Sequence, residues 1–367
     1  MMKIKVIIVI SQLVHGGAET SLLDICKHIN YNKIDLTLIS ILENDNIVDK
    51  FKKLNHLKLI CFDYSKRLNI RILIDLCRLF KQIKPDIVHT NLPVANIYGR
   101  IATIFIKAKL ITTIHSVYFK KNIFYLTDLI TCHLNDYVIA NSEYTKQFLL
   151  KYKYIVEKKV KIVKLGLNFE KLKYFNKENN DFIVRYNIPT DAKIITHIGS
   201  FKYQKGHHYL IEIAKMVIKK NPHCYFVCAG EGDLMSEIKQ LVLQSNLEKN
   251  IIFTNNIENV ADLLSLSQLF VCTSTAESFG ISLLEAMYMK VPVISFDTDA
   301  IPELIRDNET GYLINRYNLQ DFAEKIEKVL VKNNSQIINN AFYFVKENFE
   351  ITKTVKNLEE FYSEILN

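Results

Sequence analysis

Apolar residues recur along this chain in two alternating rhythms. KVIIVI (5–10) is a continuous apolar run, the pattern of a strand buried on both faces. ETSLLDICKHI (19–29) then spaces Leu22, Ile25, Cys26 and Ile29 at helical intervals. DLTLISI (35–41) returns as a strand, and RILIDLCRLFKQIKP (71–85) is a helix stopped by proline. DIVHT (86–90), KLITTIHS (109–116) and DYVIANS (136–142) read as strands, with ANIYGRIATIF and EYTKQFLLKY as helices between and after them.

A polar stretch, KYFNKENNDFIVRYNIPTDA (173–192), interrupts the alternation and reads as a linker. The rhythm then restarts. KIITHIG (193–199), CYFVCAG (224–230), NIIFT (250–254), LFVCTS (269–274) and VPVISF (291–296) are strands, separated by helices. The last apolar-periodic stretch, from Asn340 to Leu366, reads as helix. The chain is therefore expected to be α/β, with two Rossmann-like doubly wound halves and a ligand cleft between them.

Composition adds limits. The chain has 367 residues, 49% hydrophobic and 23% charged, with ample core for two domains. Its start, MMKIKVIIVISQLV, is expected to form a buried first strand rather than a signal peptide, because the apolar run is short and no small-residue cleavage site follows. Lys107 and Lys109 break the best candidate for a membrane span. Seven cysteines with no CxxC pair read as reduced thiols of a cytoplasmic protein, not a zinc site. The net charge of +8 is uneven: residues 1–180 hold 29 basic and 15 acidic side chains, and the remainder is net acidic. The basic half admits an anionic membrane surface or nucleic acid as partner, or simply a solvated Lys-rich face.

Two glycine-bearing turns follow strands and open helices. SQLVHGGAET (11–20) lacks GxGxxG and GK[ST], which argues against dinucleotide oxidoreductases and Walker-type nucleotide binding. Gly16 and Gly17 at a helix start still allow backbone N–H groups near an anion, or form no more than a tight turn. In HIGSFKYQKGHHYLIEIAK (197–215), Lys205 precedes a helix where its ammonium could reach a diphosphate, or be solvated. His207 and His208 read as surface or packing residues.

TAESFGISLLEAM (275–287) places Glu277 in the loop after LFVCTS and Glu285 in the following helix. Eight helical residues span about 12 Å. A glycosidase carboxylate pair needs roughly 5–9.5 Å. Two separate tasks fit better: Glu277 on sugar hydroxyls, Glu285 on ribose hydroxyls, and the helix N-terminus on phosphates. Two solvated glutamates beside a buried helix are the plain alternative.

These segments together resemble retaining glycosyltransferases of family four. The resemblance runs through HGGAET, ITTIHS, VIANSEYTKQFL, IGSFKYQKGHH, AGEGDL, ESFGISLLEAMYMKVPVISF, IPELI and GYLI. It implies the GT-B architecture, two facing Rossmann-like domains with a central cleft and a last helix crossing back. The implied domains are 1–175 with 345–367 on the acceptor side, and 185–344 for the nucleotide-sugar donor. It implies that Gly16 and Gly17 lie against the donor diphosphate and that His115 lines the cleft by the reacting sugar. Lys205 would neutralise phosphate and Glu277 would contact the sugar. The backbone of Phe279, Gly280 and Ile281 would grip sugar and phosphate, and Glu285 would hold the ribose. Three positions depart from the family pattern. Ser200 replaces a phosphate-binding arginine, with Lys202 as the candidate substitute. Leu165-Gly166-Leu167-Asn168 replaces NG-x-D, and Asp299-Ala300 stands where glycines are common. Asp297-Thr298-Asp299 mimics a DxD metal motif but sits beside the IPE segment and is read as a loop with capping aspartates, so no metal and no cofactor are expected.

The expected activity is metal-independent transfer of a hexose from a nucleotide-diphosphate sugar to an acceptor hydroxyl with retention. The acceptor would be a glycan or lipid-linked glycan in capsule, O-antigen or exopolysaccharide assembly, at the inner face of the cell membrane. No nucleic-acid partner is expected. A nucleotide-sugar epimerase or hydrolase of the same architecture, or a non-catalytic sugar-nucleotide-binding subunit, are the alternatives.

Overall fold

The computed structural model describes residues 3–45, 47–117, 123–152, 155–173, 180–255, 257 and 259–367. The chain divides into two compact units, Met1–Gly166 with Ile351–Asn367, and Leu167–Glu350.

The first unit is built on seven parallel strands: β1 (Ile4–Ile10), β2 (Ile34–Leu42), β3 (Lys58–Tyr64), β4 (Ile87–Asn91), β5 (Lys109–Ile114), β6 (Tyr137–Ala140) and β7 (Val160–Ile162). Their order is β3-β2-β1-β4-β5-β6-β7, a doubly wound sheet that reverses direction beside β1. The continuous apolar run of β1 has a direct cause. Ile7 and Val9 enter the core on one face, while Val6, Ile8 and Ile10 enter the core on the other. Helix Ile351–Glu364 completes the second of these cores with Ile351, Val355, Leu358, Phe361 and Tyr362.

The second unit repeats the plan with β8 (Lys193–Ile198), β9 (Cys224–Ala229), β10 (Ile251–Phe253), β11 (Leu269–Cys272), β12 (Val293–Asp297) and β13 (Tyr312–Asn315), in the order β10-β9-β8-β11-β12-β13.

Three features differ from the sequence reading. Part of the polar stretch taken as a linker, residues 174–179, lies outside the described residues. The rest is not a free connector: Phe182, Ile183, Tyr186 and Ile188 pack with Val227 and Leu263 in the second unit, because apolar side chains are hidden among its asparagines. The final helical stretch is two helices, Ser335–Asn348 and Ile351–Glu364. Phe349 leaves helical geometry, and its carbonyl accepts from the Leu167 N–H at 2.7 Å. Strands β3, β7 and β13 were not foreseen. β7 is only three residues, and β3 is largely half-exposed, so neither offers a buried run.

All seven cysteines are free, and burial pushes the Cys26 and Cys228 thiols up to about 12. Among the described residues no helix is long and apolar enough to cross a membrane.

A buried ion pair fixes one flank of the first unit. Arg100, on helix Pro93–Thr103, donates to Asp128 Oδ1 at 2.7 Å, with side chains 1% and 6% exposed. The guanidinium also reaches Thr131 Oγ1 and Asn135 Oδ1. Burial lowers the Arg100 pKa to about 10, which leaves it charged at neutral pH. Asp128→Ala strands that cation, and chemical denaturation should show a loss of about 3–5 kcal/mol. A loss under about 1 kcal/mol would mean that the neutral acceptors suffice.

Candidate active site

In the second unit, β8, β11 and β12 are neighbours, and the loops at their C-terminal ends meet. The loop after β8 carries Ser200, Lys202 and Lys205 and ends at Gly206. Its fit against the loop after β11 is set by a close approach. Gly206 has φ +67, and a Cβ there would lie 2.0 Å from the Thr273 carbonyl oxygen, so only glycine fits. Thr273 Oγ1 donates to the Gly206 carbonyl at 3.1 Å, and Thr275 N–H donates to the Gln204 carbonyl at 2.7 Å.

This stitching brings Lys205 to Glu277. Lys205 Nζ donates to Glu277 Oε2 at 2.5 Å, and Ser274 Oγ donates to the same oxygen at 3.2 Å. The side chains are 22% and 13% exposed, so both charges are largely out of water. Burial alone would pull the Lys205 pKa down, but Glu277 outweighs it and the net shift is upward. Lys205 is therefore a fixed cation at neutral pH. The two residues expected on phosphate and sugar are partners of each other.

The loop after β12 clamps Glu277 from behind. Asp299 Oδ2 accepts from the Glu277 N–H at 3.0 Å, and the Ala300 N–H donates to the Glu277 carbonyl at 3.1 Å. Arg316 Nη2 donates to Asp299 Oδ1 at 3.1 Å and also to Thr298 Oγ1. Asp299 adopts φ +50, a left-handed conformation that glycine, asparagine and aspartate tolerate best. Both carboxylate oxygens of Asp299 thus hold the site's own backbone and Arg316. Asp299 and Arg316 escaped the sequence reading as site residues. The available signal was an aspartate in a position where the resembled family favours glycine.

Beyond Glu277 the chain turns into helix Ile281–Tyr288. Gly280 starts it at φ +103, and no side chain caps it. Ser282 Oγ donates to the Ile198 carbonyl at 3.1 Å, tying the helix start to the end of β8. Phe279 is buried and meets Phe349 edge to face at 5.9 Å. Ile281 opens the helix, and Glu285 lies one turn further on, half-buried. The first helix turns present backbone N–H groups where an anion would be stabilised. Ser200 is half-buried and Lys202 exposed. Gly230 and Gly232, after β9, support this loop. A Cβ on Gly230 would lie 2.2 Å from the Gly199 carbonyl oxygen, and one on Gly232 2.6 Å from that of Phe201. Under the loop lie His197 and His207, rings 4.7 Å apart, with Phe201 stacked on His207 at 3.9 Å. His208 is half-buried and pairs with Glu237.

Gly16, Gly17 and His115 belong to the first unit. Gly16 caps helix Gly17–His28 in an ordinary extended conformation, and the carboxylate of Glu19 folds back over it. His115 follows β5, and its Nε2 is 2.8 Å from Asn91 Oδ1. It lines a recess at the strand ends with His89, Asn91, Thr113 and Thr354. His89 bridges Thr113 Oγ1 and the Tyr362 hydroxyl, each at 2.6 Å. The recess holds about 30 Å³, room for water rather than a sugar. Asn91 Nδ2 is buried there with no partner among the described residues.

Residues 15–171 match glycosyltransferase family 4, and residues 178–342 match glycosyl transferases group 1. The chain belongs to glycosyltransferase family 4, a retaining family. Poly(ribitol-phosphate) alpha-N-acetylglucosaminyltransferase of Staphylococcus aureus (strain COL) is 33% identical over 207 residues, 53% of this chain and 42% of that protein. The chain thus matches less than half the length of that relative. The UDP-Gal:alpha-D-GlcNAc-diphosphoundecaprenol alpha-1,3-galactosyltransferase of Escherichia coli is 24% identical over 306 residues, 78% of this chain and 79% of that protein. The crystal structure of Anabaena Alr3699/HepE in complex with UDP-glucose superposes with a TM-score of 0.86 at 18% identity, covering 98% of this chain and 99% of that one. It shares the GT-B fold.

The clamp on Glu277 is testable by itself. Asp299→Gly keeps a residue suited to φ +50 but deletes both carboxylate contacts. The thermal midpoint should hardly move, while transfer slows about tenfold or more through a misplaced Glu277. Asp299→Asn, which keeps an acceptor for the Glu277 N–H, should restore most of the rate. An unchanged rate in Asp299→Gly, in steady-state kinetics, would show the clamp to be idle.

Burial also makes stability depend on pH. It lowers the pKa of His89 to about 3, of His115 and His197 to about 4, and of His207 to about 2. The folded protein resists protonation at these sites, while the unfolded chain takes up protons near pH 6.5. Stability is thus full above pH 6.5 and falls as pH drops towards 4, by up to about 1.4 kcal/mol per pH unit for each histidine. Thermal midpoints measured between pH 7.5 and 5 should decline steadily. A flat profile would contradict the burial of these rings.

Proposed function

We propose that the protein is a retaining glycosyltransferase that moves a hexose from a nucleotide-diphosphate sugar to an acceptor hydroxyl in cell-surface polysaccharide assembly. The observation that carries this reading is the Lys205–Glu277 pair, held at adjoining strand ends beside the uncapped start of helix Ile281–Tyr288. A bound diphosphate would take over Lys205 and lie against the helix N–H groups. Glu277, released from part of its ion pair, would turn its acceptor oxygens to the sugar hydroxyls. Glu285 is assigned to the ribose. A uridine diphosphate donor is favoured by the UDP-glucose bound to the Anabaena protein.

The chemistry needs no protein nucleophile. As the sugar–phosphate bond breaks, negative charge grows on the departing diphosphate, and Lys205 with the helix start stabilises it in a largely water-excluded site. The diphosphate oxygen can accept the proton of the acceptor hydroxyl on the same face of the sugar, which retains the anomeric configuration. His115, neutral at physiological pH because burial lowers its pKa to about 4, would orient a hydroxyl by hydrogen bonding rather than carry charge. The Escherichia coli relative, named for a diphosphoundecaprenol-linked substrate, supports a lipid-linked glycan as acceptor.

The decisive experiment is a thermal-shift panel of UDP, GDP, ADP and their sugars, without added metal. At 100 times its dissociation constant the cognate nucleotide should stabilise the protein by about 2.7 kcal/mol. Lys205→Ala should abolish the shift and slow transfer by about 2.7–4 kcal/mol in activation free energy. A full shift and near-normal turnover in Lys205→Ala would remove the lysine from the site.

A further inference from the structure

Glu277 does not use its two carboxylate oxygens alike. Among the described residues its side-chain donors are Lys205 Nζ at 2.5 Å and Ser274 Oγ at 3.2 Å, and both reach Oε2. Oε1 accepts from neither, yet it is not shut away. The side chain keeps 13% of its surface exposed, and Oε1 is not one of the buried polar atoms that lack a partner. An ionised carboxylate oxygen offers about two lone-pair sites, so two donors fill Oε2 and leave Oε1 open.

The surroundings of Ser274 direct its hydroxyl to that contact. Ser274 follows β11 and is 1% exposed, so water does not compete for it. Cys272 Sγ donates to Ser274 Oγ at 3.4 Å, and Cys272 is buried as well. A serine hydroxyl carries one proton. With the thiol proton arriving at Oγ, the hydroxyl's own proton is given to Glu277. The residue between them is fixed too: Thr273 is buried and donates to the Gly206 carbonyl at 3.1 Å. The backbone that carries Ser274 is therefore anchored to the loop that carries Lys205.

We infer that Ser274 is a positioning residue for recognition of the donor sugar: by holding Oε2 it keeps Oε1 of Glu277 turned to the sugar hydroxyls, and so sets which arrangement of hydroxyls the site accepts. The inference rests on the proposed transferase reading, in which the diphosphate takes over Lys205. The terminal torsion of a glutamate is soft and roughly two-fold. A carboxylate that gave up Lys205 and had no other donor would swing about that torsion. Ser274 is the donor that stays. Asp299 cannot do this work, because it holds the Glu277 N–H and leaves the side-chain torsion unset. With its plane held, Oε1 can accept from two neighbouring hydroxyls. An epimer that turns one of them away loses that bond in a site largely out of water, which is the source of discrimination between sugars.

The test is isothermal titration calorimetry on the whole protein. It compares UDP, GDP and ADP with UDP-glucose, UDP-galactose, UDP-N-acetylglucosamine, GDP-mannose and ADP-glucose. Ser274→Ala removes the hydroxyl with little change in packing. Ser274→Thr keeps it, and Ser274→Val matches the threonine in shape without it, so this pair separates the hydrogen bond from any effect of volume. For the base that the parent binds, Ser274→Ala and Ser274→Val should raise the dissociation constant of the preferred sugar conjugate about tenfold, while that of the bare nucleotide stays within about twofold. Ser274→Thr should resemble the parent. Where the base is uridine, the preference between UDP-glucose and UDP-galactose, which differ in the direction of one hydroxyl, should narrow in the variants without the hydroxyl. Equal losses for nucleotide and conjugate would make Ser274 a support of the loop only, and unchanged constants in Ser274→Val would make its bond idle. Either result overturns the inference and leaves the transferase reading standing, as does a parent that binds a nucleotide but none of the conjugates. A parent that binds no nucleotide at all removes that reading, and the inference with it.

Discussion

The second unit's site depends on one short ion pair kept out of water. Placing an ammonium and a carboxylate in a low-dielectric pocket costs several kcal/mol for each ion, and only close geometry with added hydrogen bonds offsets it. Lys205 and Glu277 meet that condition. They are 2.5 Å apart, Ser274 shares the carboxylate oxygen, and the backbone on each side of Glu277 is held by the loop after β12. The requirement propagates backwards into the chain. Lys205 can reach Glu277 only because Gly206 lets the backbone pass against the Thr273 carbonyl, and that approach exists only because β8 and β11 are neighbours. Removing either Lys205 or Glu277 leaves the other charge buried without its partner.

Such a pair is also a poised arrangement. Lys205 is already largely out of water beside Glu277, so a diphosphate bound as proposed would not have to strip water from a free lysine. Under the proposed reaction, diphosphate replacing Glu277 would trade one anion for another around the same cation. Under the proposed reaction this is preorganisation in the physical sense: the positive charge stands in place before negative charge develops. Asp299 contributes to the same end. An aspartate at φ +50 is less comfortable than glycine, yet it supplies an acceptor for the Glu277 N–H that glycine cannot, and Arg316 holds the other carboxylate oxygen.

Much of this was legible in the amino-acid order, for identifiable reasons. Parallel strands covered on both faces become unbroken apolar runs, so β1 and β9 announce themselves. Helix Glu143–Tyr152 coincides with EYTKQFLLKY because its apolar spacing is regular. The segments around Lys205 and Glu277 were identifiable as candidate chemistry from their place at strand ends. Their pairing was not, because 72 residues separate them and periodicity carries no information about which loops meet. The same limit hid Asp299 and Arg316. It also hid the break at Phe349, since helical spacing continues through a residue whose carbonyl is drawn to Leu167. Edge strands such as β3 were invisible because half-exposed positions do not form an apolar run.

Lys205 on one side, and His89 and His115 on the other, show burial of titratable groups handled in opposite ways. In the second unit a buried lysine is given a carboxylate, so burial and attraction compete and the charge survives. In the first, the partners of His89 and His115 among the described residues are neutral, namely Thr113, Tyr362 and Asn91, and burial holds the rings uncharged at neutral pH, as it also does for His197 and His207 of the second unit. A neutral imidazole donates one hydrogen bond and accepts another, which suits the placing of a hydroxyl. A fixed ammonium suits the neutralising of phosphate. Under the proposed transfer the electrostatic work would fall to Lys205, which keeps its charge, and the orienting work to His115, which burial holds neutral.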